Sequence, residues 1–190
     1  MTTTVVLGFL VALLVFWAVG AYNRLVRLRS DAVKAFSVLD DVVAVQPALI
    51  KATQWVARPV ADTSGDGHTA MDLAVWSRLE AAAGQFAQAL SNARARPLEA
   101  ESLRSFSTAY NVLTNTWRAP EAQCLDSAVN PGDLRARLAG LDEQAAVHAA
   151  AFDATVAAYN LAIRQFPAVL VAGVWHFRRA EPLVWNRPVA

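Results

Sequence analysis

Apolar residues in this chain follow two patterns, an unbroken run near the start and then stripes spaced by three and four. Val5 to Tyr22 reads VVLGFLVALLVFWAVGAY, eighteen residues without a charge. As a helix this run is about 27 Å long, against a hydrocarbon core of about 30 Å. The pattern predicts a membrane-spanning anchor over residues 1–22 that contacts the lipid bilayer through residues 5–22. Past Tyr22 the run turns amphipathic without a breaker, with Leu25, Leu28, Ala32, Phe36, Leu39 and Val43 on one face. The anchor is therefore expected to continue as one long helix. Pro47 should kink it, because its ring removes a backbone donor and crowds the preceding turn, and the helix should resume through Trp55.

Three further helices are predicted. RPVADTSGDGH, from Arg58 to His68, is a loop by its Pro, Asp, Ser and Gly content. Thr69 with Asp72 resembles a capping box, followed by the stripe Val75, Leu79, Ala82, Phe86, Ala89 and Ala93 and a stop at Pro97. The next helix should start near Leu98 and carry Leu103, Phe106, Tyr110, Leu113 and Trp117 as a narrow seam. Asn130 before Pro131 suits a cap for the last helix, whose stripe runs from Leu134 through Leu138, Leu141, Ala145, His148, Phe152, Val156, Tyr159 and Ile163 to Phe166. No useful period-two alternation is present. The expected fold is all-α: an N-terminal transmembrane helix continuing into an antiparallel bundle of about four long helices over residues 23–166, with an apolar and basic tail over 167–190.

The flanks of the apolar run decide between an anchor and a cleaved signal peptide. A signal peptide carries positive charge before its apolar stretch, whereas here Arg24, Arg27, Arg29 and Lys34 all follow it. The same asymmetry predicts a single-pass cell-membrane protein with its N-terminus outside and its domain in the cytoplasm. Ala168 to Phe177, AVLVAGVWHF, is too short to span but apolar enough to be buried. With Arg178, Arg179, Trp175 and Trp185 as basic and aromatic anchors, residues 168–185 are expected to return to the bilayer surface; the competing reading is that they cap the bundle.

Charge argues against a nucleic-acid partner, since 17 basic and 16 acidic residues leave a formal net charge of +1. Cys124 has no second cysteine to pair with and is read as a small core hydrophobe. Asp62-Thr63-Ser64-Gly65-Asp66-Gly67 begins like a calcium loop, yet Leu73 stands where the bidentate carboxylate belongs and Asp72 is one place early. His68, His148 and His176 lie far apart without partners at metal spacing, and His148 is read as a core or boundary residue. Asp40-Asp41 and Asp142-Glu143 are sequence neighbours, so on a helix they splay about 100° apart and are expected to be solvated. No residue is assigned a catalytic, cofactor-binding or metal-binding role, and no cofactor is implied. All three tyrosines precede asparagine, and Asn23 and Asn160 are expected to fix helix register if they face the core.

Two segments together resemble the bacterial LemA family: AYNRLVRLRSDAVKAFSVLD after the anchor and FDATVAAYNLAIRQFPAVLVAGVWHF near the C-terminus. The matching elements are Tyr22-Asn23, Leu25-Val26, Leu28-Arg29, Tyr159-Asn160, Phe166-Pro167 and Leu170-Val171-Ala172-Gly173. The middle is only loosely similar. Where LemA-like chains carry a basic stretch and an Asp-Leu-Ile-Pro-Asn-Leu-Val element, this chain has Val45-Gln46-Pro47-Ala48-Leu49-Ile50, about one turn closer to Asp40. The resemblance implies a membrane-bound helical bundle and carries over no catalytic residue. The expected function is a non-enzymatic interaction or scaffold module with an unknown protein partner. The alternative is an accessory subunit or metal-dependent enzyme completed by a partner, to which Asp62, Asp66 and His68 would contribute.

Overall fold

The computed structural model describes residues 2–53, 70–123 and 133–185. Among them every regular element is helical. Helix α1 runs Thr2–Val43 without interruption. The chain leaves helix at Ala44, three residues before Pro47, and re-enters it as α2 over 45–53. The break falls where the proline ring would crowd the preceding turn. Helix α3 is Ala70–Ala95, α4 is Ala100–Arg118, and a 3-10 turn follows at Pro120–Gln123. Helix α5 is Asp133–Arg164 and α6 is the short Ala168–Val174.

The stripes read from the sequence are the core. Leu25, Ala32, Phe36, Leu39 and Val43 of α1 are buried, as are Val75, Leu79, Phe86 and Ala93 of α3 and the whole α4 seam. Helix α1 packs mainly along α5, while α3 and α4 form a hairpin against them. At the centre the Phe36 ring lies 5.8 Å from both Phe106 and Phe152. Phe86 lies 5.6 Å from Phe106 and 5.4 Å from Tyr110. These tilted and edge-on contacts are the arrangement that the ring quadrupoles favour. They tie all four long helices together at one level.

The outer half of α1 is different. Val5 and Phe9 are each 71% exposed and Phe16 is 80% exposed, so the described residues leave this apolar surface largely uncovered. The helix is long and apolar enough to cross a membrane. Leu134–Arg164 passes the same test of length and composition, but its apolar face, with Leu138, Ala145, Phe152 and Val156, is buried in the bundle. It is a core helix.

Several expectations are corrected. The last long helix stops at Arg164 rather than near Phe166, and Phe166 is 73% exposed, with its ring against Trp17 of α1 at 5.0 Å. Asp40 and Asp142 are not solvated, their side chains being 14% and 13% exposed and paired with Arg94 and Arg118. The splay itself holds, since Asp41 and Glu143 face outward. Thr69 of the capping box, Asn130 of the proposed cap, the calcium-like segment and Cys124 lie outside the described residues.

Candidate functional site

Beyond α5 the chain reverses and runs back along the bundle, and this return organises the surface. Helix α6 starts after Pro167 and rests on α1 through Ala168, Val171 and Ala172. It ends by a left-handed stop. His176 has φ 56°, a conformation more usual for glycine, and the Phe177 amide donates to the Ala172 carbonyl at 3.0 Å. Tyr22 of α1 holds the turn, its ring lying 5.6 Å from Trp175 and 5.9 Å from Phe177.

From Arg178 the tail has no regular secondary structure and is held by side chains of the helices it crosses. The Tyr159 hydroxyl donates to the Arg178 carbonyl at 2.9 Å. Asn160 grips Ala180 twice, its Nδ2 donating to the carbonyl at 2.7 Å and its Oδ1 accepting from the amide at 3.0 Å. The Leu183 amide donates to Asp153 at 2.8 Å, and Asn111 donates to the Val184 carbonyl at 3.0 Å. Outside, Arg104 pairs with Glu181 at 2.6 Å, which holds the Glu181 carboxyl below its usual range. Apolar contacts complete the seam: Ala180 and Leu183 are buried, and Trp185 stacks on Tyr110 at 4.2 Å. Trp185 therefore packs, partly buried, against the core.

The asparagines are likewise reassigned. Asn23 is exposed, and Asn160 fixes the position of the tail and not the register between two helices. Asn160→Leu is expected to destabilise the domain by about 1 to 2 kcal/mol, since it strands the Ala180 amide and carbonyl beneath the tail. Asn23→Leu should change stability by less than about 0.5 kcal/mol. Parallel thermal melts of the two variants check this, and equal melting temperatures would refute the role given to Asn160.

Inside the bundle a polar chain crosses three elements. Gln46 is fully buried and donates to the Tyr110 hydroxyl at 3.1 Å, and that hydroxyl donates to Asp142 at 2.6 Å. Arg118 caps the other oxygen of Asp142 and lies over the Trp117 ring at 5.0 Å. Burial, and then the Asp142 hydrogen bond, push the Tyr110 hydroxyl well above its ordinary range. A tyrosine so placed holds its proton and serves as a structural donor. The Tyr159 hydroxyl is also raised by burial, against the opposing charge of Arg29.

The third feature is an open cleft of about 700 Å³ at the α3–α4 turn, lined by Arg29, Arg96, Arg104, Tyr159, Arg178 and Arg179 among others. Arg96 is paired with Glu99 at 3.1 Å and Arg104 with Glu181. Arg29, Arg178 and Arg179 make no ion pair among the described residues, so the cleft presents net positive charge. Arg29 lies about 10 Å along the axis beyond Tyr22, at the end of the bundle nearest the apolar half of α1. What this arrangement can do is bind an anion.

Asp62, Asp66 and His68 fall outside the described residues, while His148 sits at the bundle boundary and His176 at the tail turn. Among the described residues no three His, Cys, Asp or Glu side chains stand together as a metal cluster. Sequence reasoning missed Gln46, Asp142 and Arg118 as a network. The signal for it was present in a polar residue on a core stripe, since Gln46 lies three residues after Val43.

A family model described as the LemA family matches residues 80–187, more than half of the chain. The match runs through the middle segment, from α3 to the tail, and includes Tyr159-Asn160 and Phe166-Pro167. Neither the curated proteins nor the solved structures compared with the chain give a match.

Proposed function

Because the chain belongs to the LemA family, we propose that it is a single-pass membrane protein whose bundle acts as a non-enzymatic interaction module held against the bilayer. The observation that carries this reading is the continuity of α1. Phe9, Leu13 and Phe16 on its outer half are exposed, and Leu25, Phe36 and Leu39 on its inner half are buried in the bundle of the same unbroken helix. A span that is also a core helix fixes the orientation of the domain to the membrane. The LemA family is not known as an enzyme family, which fits a binding role.

Arginines after the span and none before it support a bundle on the cytoplasmic side. Within this reading α6 and its flanks lie at the headgroup level. Phe166, Leu170, Val174 and Trp175 are 73%, 61%, 68% and 53% exposed, on a segment too short to span and beside Trp17 and Tyr22. The arginine cleft then faces the layer just above the membrane, where it takes an acidic segment of a protein partner.

Topology and partner are tested together. A tag at Ala190 should resist protease in spheroplasts, and a tag digested from outside overturns the orientation. In-cell crosslinking should capture a partner with the wild-type chain and lose it with Arg178→Glu and Arg179→Glu combined. A partner retained by that variant removes the cleft from the proposal.

A further inference from the structure

A second groove lies higher on α1, where the chain emerges from its apolar half. Phe16, Gly20 and Arg24 follow one another at four-residue spacing and share one face of the helix. Trp17, Gln165 and Phe166 complete the walls of an open groove of about 370 Å³. The Trp17 and Phe166 rings meet at 5.0 Å and close one side. Gly20 supplies the depth, because a side-chain carbon built there would meet nothing within 4 Å.

The chemistry changes along the groove. Over about 12 Å of helix, the wall passes from the Phe16 ring through the bare backbone of Gly20 to the Arg24 guanidinium. Arg24 is exposed and has no ion pair among the described residues, while Gln165 adds an amide to the lining. The apolar end is continuous with the exposed surface of α1 formed by Leu13, Phe9 and Val5. An occupant must be apolar at one end and anionic at the other, and must arrive from the bilayer.

The geometry points to a bound phospholipid: its first acyl methylenes lie along Phe16 and Gly20 against Phe166, and its phosphodiester sits on Arg24 with Gln165 as a second donor. This inference rests on α1 spanning the membrane, since only then does the groove lie at headgroup depth. A charge-assisted contact of guanidinium to phosphate has the geometry and strength to hold one lipid out of the exchanging annulus. The arginine cleft shares no lining residue with this groove and is a separate site.

The test uses the full chain, purified in mild detergent and examined by native mass spectrometry after addition of phosphatidylglycerol. One lipid per chain should be retained. Gly20→Leu, which fills the groove into open space, and Arg24→Gln should each reduce retention about tenfold, corresponding to loss of one charge-assisted contact or its apolar counterpart. Both variants should keep the wild-type melting temperature. Glycerophosphate, the headgroup without acyl chains, should neither bind nor compete at millimolar concentration. Competition by glycerophosphate would make this a free-anion site and overturn the inference. Equal retention by wild type and Gly20→Leu overturns it as well, while alkaline carbonate extraction reports separately on the span. A chain that stays in the membrane pellet but keeps no lipid refutes the groove alone. A chain released by carbonate refutes the membrane reading beneath it.

Discussion

Truncation after Phe177 is expected to destabilise the bundle by about 4 to 6 kcal/mol, from the burial of one leucine, one alanine and a stacked tryptophan together with their hydrogen bonds. Ala180 and Leu183 are buried under the tail, and Trp185 covers the Tyr110 ring at 4.2 Å and the Phe106 ring at 6.0 Å. Removing them opens the aromatic centre of the core to water. The freed side chains of Tyr159, Asn160, Asp153 and Asn111 can turn to solvent, so their share of the loss is smaller than the apolar one. Native stability is itself about 5 to 15 kcal/mol, so the truncated chain should be close to unfolding. In a thermal melt of the full chain against the truncated one, the midpoint should fall by about 10 to 20 °C. A fall of under about 3 °C would mean that the tail is a surface strap and not part of the core. Trp185→Ala should recover about half of the effect, since that residue is partly buried in the intact chain.

That result would separate two roles that the sequence had merged. Residues 168–185 carry apolar, aromatic and basic side chains in one stretch, and composition alone cannot say which face water and which face the core. The structure divides the stretch at His176, whose left-handed backbone ends α6 and sends the chain back along the bundle, with Phe177 still against Tyr22. Nothing in the type of residue marks that turn, because histidine is not the usual occupant of such a position. The helices were legible for the opposite reason. Leu25, Ala32, Phe36, Leu39 and Val43 share one face by spacing alone, and that face needed only a partner surface to become core.

The polar network was illegible because its members stand far apart in sequence. Gln46, Tyr110 and Asp142 come from three elements, and each has an ordinary reading on its own helix. Asp142 beside Glu143 looks like a solvated acidic pair until Arg118 is placed against it. The neighbouring pair Asp40 and Asp41 misleads in the same way, since Arg94 reaches Asp40 across 54 positions of chain. Helical phase tells which member of each pair turns inward, but the charge waiting there is a tertiary fact.

Asp142→Ala should therefore cost about 3 kcal/mol at neutral pH, the lower end for breaking a buried ion pair, because Arg118 is 30% exposed and regains some hydration. The loss comes from both sides of the carboxylate, since Tyr110 and Arg118 each lose their acceptor. A pH series then isolates the tyrosine. In the unfolded chain Tyr110 ionises near about pH 10, whereas in the fold burial and the Asp142 bond keep it protonated well above that. Above about pH 10 the unfolded state releases a proton that the native state holds, so stability is complete below that pH and falls as pH rises, by up to about 1.4 kcal/mol per unit. Tyr110→Phe removes this group and should flatten the alkaline limb, while the contribution of Tyr159 stays in both chains. Asp142→Ala should keep most of the limb, because burial is the larger cause of the shift and the hydrogen bond the smaller. Denaturation midpoints at pH 8, 10 and 11.5, on an approximate scale set by the tyrosine's reference value, compare the three chains. Parallel curves for wild type and Tyr110→Phe would show that Tyr110 reaches water in the folded protein, and the network would have to be redrawn.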